Sequence, residues 1–151
     1  MQNYNRILVA TDFSPVSEIA AKEGIEFAKQ RNAGLILLHV VEHFPEHLPH
    51  YQIAHEEMDP QEFIMDRAEK DLTALAEKLG VTEAIKEVRL TTRSAKSEIV
   101  KFASDEQVDL IVIGARGRNS LIDILSGSTA TGVVRAATCD VFVVHARDKP
   151  K

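Results

Sequence analysis

The sequence predicts a single α/β domain over residues 1–151, built as a doubly wound, open five-stranded parallel sheet with helices on both faces. Two observations predict it. Short, continuously apolar runs alternate along the chain with longer stretches of helical period, the pattern of strands buried on both sides and joined by crossover helices. The 151 residues fit one domain with one substantial core, and 44% hydrophobic against 27% charged residues is the balance of a globular chain, not of a disordered one.

Ile7–Ala10 reads as strand one. The following Thr11-Asp12-Phe13-Ser14-Pro15 holds a helix start, with Ser14 as the cap and Pro15 in the first helical position. Val16, Ala20, Phe27 and Ala28 then recur at helical spacing. Leu35–Val41 is too short for a separate helix and too uniformly apolar for a surface strand, so it reads as central strand two. From Glu42 to Pro60 the chain is polar and carries Pro45, Pro49 and Pro60, which predicts a long loop. Ile64, Ala68, Leu72, Leu75 and Leu79 mark a second helix closed by Gly80. Ile85–Thr91 alternates, as an outer strand does. Ser94 to Gln107 gives a short helix capped by Ser94, Val108–Gly114 a buried strand, Ser128–Ala137 a fourth helix and Val141–His145 a last strand. Periodicity leaves the strand order open. A sheet of this kind holds its ligand at the carboxyl ends of two neighbouring strands where the winding reverses.

The formal net charge of −5 argues against nucleic acid as a general partner, because an acidic chain gains nothing from counterion release. Cys139 is the only cysteine, which excludes an intramolecular disulfide and a thiolate-rich metal site and suits a reducing compartment. Met1–Arg6 has no signal-peptide character and no apolar run approaches a membrane span, so the expected location is the cytoplasm without membrane insertion.

The chemistry concentrates after strand four. Gly114-Ala115-Arg116-Gly117 opens at the end of a buried strand, and after nine intervening residues Gly127-Ser128-Thr129 closes at a helix start. Glycines permit a sharp turn and close backbone approach, and the N–H groups and dipole of a helix start attract an anion. Ser128 and Thr129 add hydroxyl donors, and Arg116 and Arg118 add charge-assisted bonds to phosphate oxygens. A lone Gly-x-x-Gly usually does no more than end a strand; the distant Gly127-Ser128 weighs against that here. Neither a Walker A lysine motif nor a Gly-x-Gly-x-x-Gly fingerprint is present. The residues alone therefore predict a phosphate-binding crevice and no particular base.

Ile7–Ser14, Leu37-Leu38-His39-Val40, Asp109–Arg118 and Leu125–Ala130 together resemble the universal stress protein family over nearly the whole chain. The spacing Gly114, Gly117, Gly127 and Ser128 resembles the signature of the family's ATP-binding branch. The resemblance implies the adenine nucleotide α-hydrolase-like version of the fold, with ATP, ADP or AMP between strands one and four, together with Mg²⁺. Adenine would meet Ala10 and Val40, and Asp12 would lie near the ribose or, indirectly, a phosphate-bound Mg²⁺. The phosphates would meet Gly114, Arg116, Gly117, Gly127, Ser128 and Thr129, with Thr11, Ile113 and Arg118 completing the site. It further implies a homodimer paired along Val141–His145 and a regulatory role in the stress response, with no catalytic residue and an unknown protein partner. Two other readings stand beside it: a slow ATPase or adenylyl-transferring enzyme, and an interaction module independent of nucleotide.

The chain departs from the family's pattern at Arg93 and Ala95, where glycine and often proline precede the third helix, and at Asp140 after Cys139. Arg93 either reaches a phosphate or points outward, and the outward reading is preferred. His43, His47, His50 and His55 crowd the long loop with Glu42, Glu46, Glu56 and Glu57 and could collect Zn²⁺ or Ni²⁺. They lack a ligand spacing or a rigid element to hold them, so solvated histidines on a flap are expected. Cys139 reads as a small core residue. Ser128 or Thr129 could accept a phosphoryl group, but no general base stands beside them.

Overall fold

The computed structural model describes residues 2–43, 59–115 and 128–147. The chain alternates β1 (Arg6–Ala10), α1 (Pro15–Arg31), β2 (Gly34–Glu42), α2 (Pro60–Lys78), β3 (Ile85–Thr91), α3 (Ala95–Asp105), β4 (Leu110–Gly114), α4 (Ser128–Ala136) and β5 (Asp140–Val144). All five strands are parallel and lie in the order β3-β2-β1-β4-β5. The predicted α/β class is the observed one.

The continuous apolar runs have a direct cause. Ile7, Val9, Leu37 and Val112 face one side, where α1 and α2 cover them, while Leu8, Ile36, Leu38, Ile111 and Ile113 face α3 and α4. A strand covered on both faces has no polar side to alternate with. The two outer strands differ: β3 places Lys86, Glu87 and Arg89 in line, which blunts one edge of the sheet, and β5 forms the other edge.

Boundaries moved by one or two residues where a turn intervenes. The fourth strand begins at Leu110 and not at Val108, because Gln107 turns at φ 53 and the Val108 N–H donates to the Ala103 carbonyl at 2.9 Å, closing α3. The last strand runs one residue earlier than expected, since the Asp140 N–H already donates to the Asp109 carbonyl at 3.3 Å. Asp109 also accepts the N–H groups of Asn5 and Arg6 at 2.7 and 2.8 Å, pinning the start of β1 to the entrance of β4.

α1 lies unusually close to the sheet. Its buried face carries the small residues Ser17, Ala20, Ala21, Gly24 and Ala28 beside only two larger ones, Val16 and Ile25. A Cβ on Gly24 would stand 2.5 Å from Val9 Cγ2, and Val9 is stiff and wholly buried. Gly24→Ala is therefore expected to destabilise by about 1–2 kcal/mol, overpacking of about 1–3 kcal/mol outweighing a gain of up to about 1 kcal/mol in helix propensity. Thermal unfolding should show Tm lowered by about 2–6 °C; an unchanged or raised Tm would mean that the helix backs away freely.

Candidate functional site

The chain leaves β1 for α1 on one face and β4 for α4 on the other, so the carboxyl ends of these adjacent strands open a cleft. The turn after β1 builds its lower rim. The Thr11 N–H extends the ladder to the Leu38 carbonyl at 2.9 Å. Thr11 Oγ1 then accepts the Phe13 N–H at 3.0 Å, and Asp12 Oδ1 accepts the Ser14 N–H at 3.0 Å. These two bonds hold Phe13 at φ 64, and its ring packs 4.4 Å from that of His39. His39 Nδ1 lies 2.7 Å from the Thr11 carbonyl, which can only accept, so Nδ1 carries the proton.

Ser14 caps α1 as expected, its Oγ taking the Ser17 N–H at 3.3 Å and its carbonyl taking the Ser17 hydroxyl at 2.8 Å. The N–H of Glu18 also goes to the Ser14 carbonyl, at 3.0 Å. Two of the N–H groups at the start of α1, those of Ser17 and Glu18, are thus bonded within the turn itself.

Ala10, Leu38, Val40, Ile99 and Ile113 give the cleft an apolar interior, and Thr11, Asp12, Ser17 and Thr129 set polar groups at its rim. Its enclosed part measures about 100 Å³. That is less than the roughly 300–1,000 Å³ of a pocket that swallows a whole small ligand, so a ligand of that size must extend beyond it. At the floor, Gly114 passes directly under α1: a Cβ there would stand 2.8 Å from Val16 Cγ1 and 3.2 Å from the Val16 backbone. Only glycine allows strand and helix to meet so closely.

Burial works to raise the Asp12 carboxyl, but the nearby Ser14 and Ser17 hydroxyls and the Ser14 N–H bonded to it outweigh burial and hold the group below the ordinary carboxylate range. Asp12 is the one ionisable side chain among the described residues lining the cleft. It carries a fixed negative charge at neutral pH.

Of the residues singled out from sequence, Ala10, Thr11, Asp12, Val40, Ile113, Gly114 and Thr129 line this one cleft. Ser128 opens α4 and is exposed. Arg116, Gly117, Arg118 and Gly127 lie outside the described residues, as do His47, His50 and His55. Among the described residues no cluster of three or more His, Cys, Asp or Glu side chains could hold a metal, and no helix is long and apolar enough to cross a membrane. Sequence reasoning missed Ser17, Leu38, Ala95 and Ile99. The first had a signal, since a hydroxyl three residues after a serine cap points back at the preceding turn; the wall formed by α3 had none, being set by tertiary packing.

Arg93 is exposed and absent from the lining, its N–H donating to Thr91 Oγ1 at 3.1 Å. Cys139 is half-buried against the α3 and α4 side of the sheet, and burial raises its thiol above the ordinary value, which leaves it a poor nucleophile.

Residues 3–145 match the model of the universal stress protein family. Universal stress protein A homolog 2 of Coxiella burnetii is 34% identical over 146 residues, covering 96% of this chain and 97% of that protein. The solved structure of the Methanocaldococcus jannaschii protein MJ0577 superposes with a TM-score of 0.77 at 28% identity, covering 98% of this chain and all of that one. A universal stress protein of Archaeoglobus fulgidus in complex with dAMP shares the fold at a TM-score of 0.63 and 21% identity, covering 95% of this chain and 99% of that one.

Proposed function

We propose that this chain, which belongs to the universal stress protein family, binds an adenine nucleotide, ATP by preference, in the cleft between β1 and β4 and works as a regulatory module of the stress response. The observation that carries the reading is the division of the cleft into an apolar slot and a polar rim. Leu38 and Ile113, the strand partners of Ala10 on its two sides, together with Val40 and Ile99 suit the faces of a base. The fixed charge of Asp12 suits ribose hydroxyls, which donate to it, and it repels bare phosphate. Phosphates would then fall to the segment from Gly114 to Thr129, where Arg116, Gly117, Arg118, Gly127 and Ser128 belong. The Ser17 and Glu18 N–H groups at the start of α1 do not compete for them, being already bonded. The dAMP held by the Archaeoglobus protein supports an adenine nucleotide as the ligand class. Asp12, as a single carboxylate, would also suit a Mg²⁺ carried by the phosphates, an ion that would be held mainly by phosphate oxygens and water.

Binding is favoured over catalysis by the acid–base inventory. A carboxyl held below its ordinary range is a weak base at neutral pH, and the rim hydroxyls of Thr11 and Ser17 stand 3.1 Å apart in a bond with each other. We further read the protein as a cytoplasmic homodimer joined along β5, the sheet edge that a two-fold partner can extend.

The test is direct. Protein purified without added nucleotide is denatured and its supernatant examined by mass spectrometry, alongside calorimetric titration with Mg²⁺-ATP. Released adenine nucleotide or micromolar affinity is expected; no nucleotide and no affinity of about 1 mM or better would overturn the reading.

A further inference from the structure

We propose that Glu42 is a positioning residue that clasps the two walls of the cleft together and so sets the width of its slot. β2 ends at Glu42, and the pleat puts Leu38, Val40 and Glu42 on one face, the face covered by α3. Leu38 and Val40 form one wall of the cleft; Ala95 and Ile99, one turn apart on α3, line it opposite them. At the open end of these walls Glu42 Oε1 accepts the Ala95 N–H at 2.8 Å, a bond between residues 53 apart in sequence.

The two walls are not fixed equally. β2 is held in register with β3 up to the pair Glu42 and Thr91, and the His43 N–H adds a bond to the Thr91 carbonyl at 2.9 Å. The start of α3 instead hangs on the turn at 92–94, secured locally by the Arg93 N–H to Thr91 Oγ1 and by the Ser94 cap. Ala95 occupies the first helical position, whose N–H no carbonyl of α3 can reach. Glu42 is the partner it finds, and the carboxylate also complements the positive end of the helix dipole. The bond ties the wall that hangs on a turn to the wall built into the sheet.

That Glu42 serves nucleotide affinity rests on the proposed function; that it holds Ala95 does not, and the experiments separate the two. Adenosine and Mg²⁺-ATP are titrated into wild type, Glu42→Ala, Glu42→Gln, Ala95→Pro and the double variant Glu42→Ala/Ala95→Pro, and exchange of the Ala95 amide is followed by NMR in the variants that retain it. Proline suits the first helical position, and Ser94 at φ −131 and ψ 152 already has the extended backbone that a following proline requires. Ala95→Pro thus removes the donor without breaking the helix.

Glu42→Ala should weaken adenosine and ATP alike by about five- to tenfold and speed Ala95 exchange by at least as much. Glu42→Gln, which keeps an acceptor oxygen and loses the charge, should restore both. In the Ala95→Pro background the Glu42→Ala change should alter affinity less than about twofold, the coupling that a shared bond demands. Ala95 exchange unchanged by Glu42→Ala overturns the clasp whatever the wild type binds. A selective gain in ATP over adenosine, or the same loss in the Ala95→Pro background, overturns it in favour of a general charge effect. Failure of the wild type to bind either ligand overturns the nucleotide reading, and with it the role of the clasp in affinity, while leaving the exchange arm to decide the bond.

Discussion

Gly114→Val is expected to destabilise the protein by about 2–4 kcal/mol and to lower nucleotide affinity at least tenfold. The first carbon of the new side chain would stand 2.8 Å from Val16 Cγ1 and 3.2 Å from the Val16 carbonyl carbon and oxygen. The second contact decides the outcome, because a backbone cannot rotate aside as a side-chain end can. Val16 lies in the first turn of α1, so relief requires shifting the segment that carries Asp12, the Ser14 cap and Ser17. Overpacking in a dense interior typically costs about 1–3 kcal/mol for small insertions, and the two further methyl groups of valine take it to the upper end or beyond. Tm should fall by about 5–15 °C. Gly114→Ala should show the same signs at about half the size. The comparison is Gly132→Ala, where the added carbon meets the methylene stem of Lys96, an exposed and flexible side chain that can give way. There the gain in helix propensity of up to about 1 kcal/mol should leave Tm unchanged or raised. Equal Tm for Gly114→Val and wild type would show that α1 is free to retreat from β4.

The contrast between these glycines marks how far the sequence could be read. The apolar runs of β1, β2 and β4 named themselves because both faces of the sheet are covered, and Ser14-Pro15 and Ser94 announced two helix starts through local capping chemistry. Gly114 could be singled out because it ends a strand beside other glycines. Gly24 could not: within a helix a glycine reads only as a weak point, and its purpose depends on Val9, a residue on another element. The same holds for the site. Asp12 and Thr129 stood next to recognisable turn or helix-start signals, whereas Ala95 and Ile99 enter the cleft through the crossover that carries α3 over the far face of the sheet. Glu42 looked like one more charge at the head of a polar, histidine-rich stretch, and its bond to Ala95 follows from strand register and helix placement together. Chemistry held within a turn is legible from the chain; chemistry made between elements waits on their packing.

Asp12→Ala is expected to weaken ATP binding by about ten- to a hundredfold, the value of one or more hydrogen bonds to a charged group. It should also lower stability near neutral pH by about 1–2 kcal/mol, since Asp12 Oδ1 accepts the Ser14 N–H at the entrance to α1. The pH dependence has a definite sign. The folded-state value of Asp12 lies below the ordinary carboxylate value of about 4, so its stabilisation is fully present above the unfolded value and is lost as pH falls through the folded one. The stability gap between wild type and Asp12→Ala should therefore hold from about pH 5 to 8 and narrow below about pH 4; a gap that widens in acid would contradict the depressed value. Titration with 2′,3′-dideoxy-ATP separates the two roles open to the carboxylate in binding. If Asp12 takes ribose hydroxyls, wild type should bind the dideoxy nucleotide about as weakly as Asp12→Ala binds ATP, and the substitution should cost that ligand little more. If it acts through Mg²⁺ on the phosphates, the loss should persist with the dideoxy nucleotide and vanish when Mg²⁺ is removed by chelation. The placement of Asp12 on the β1 side of the cleft, with the glycine-rich segment leading from β4 to α4, favours the first outcome.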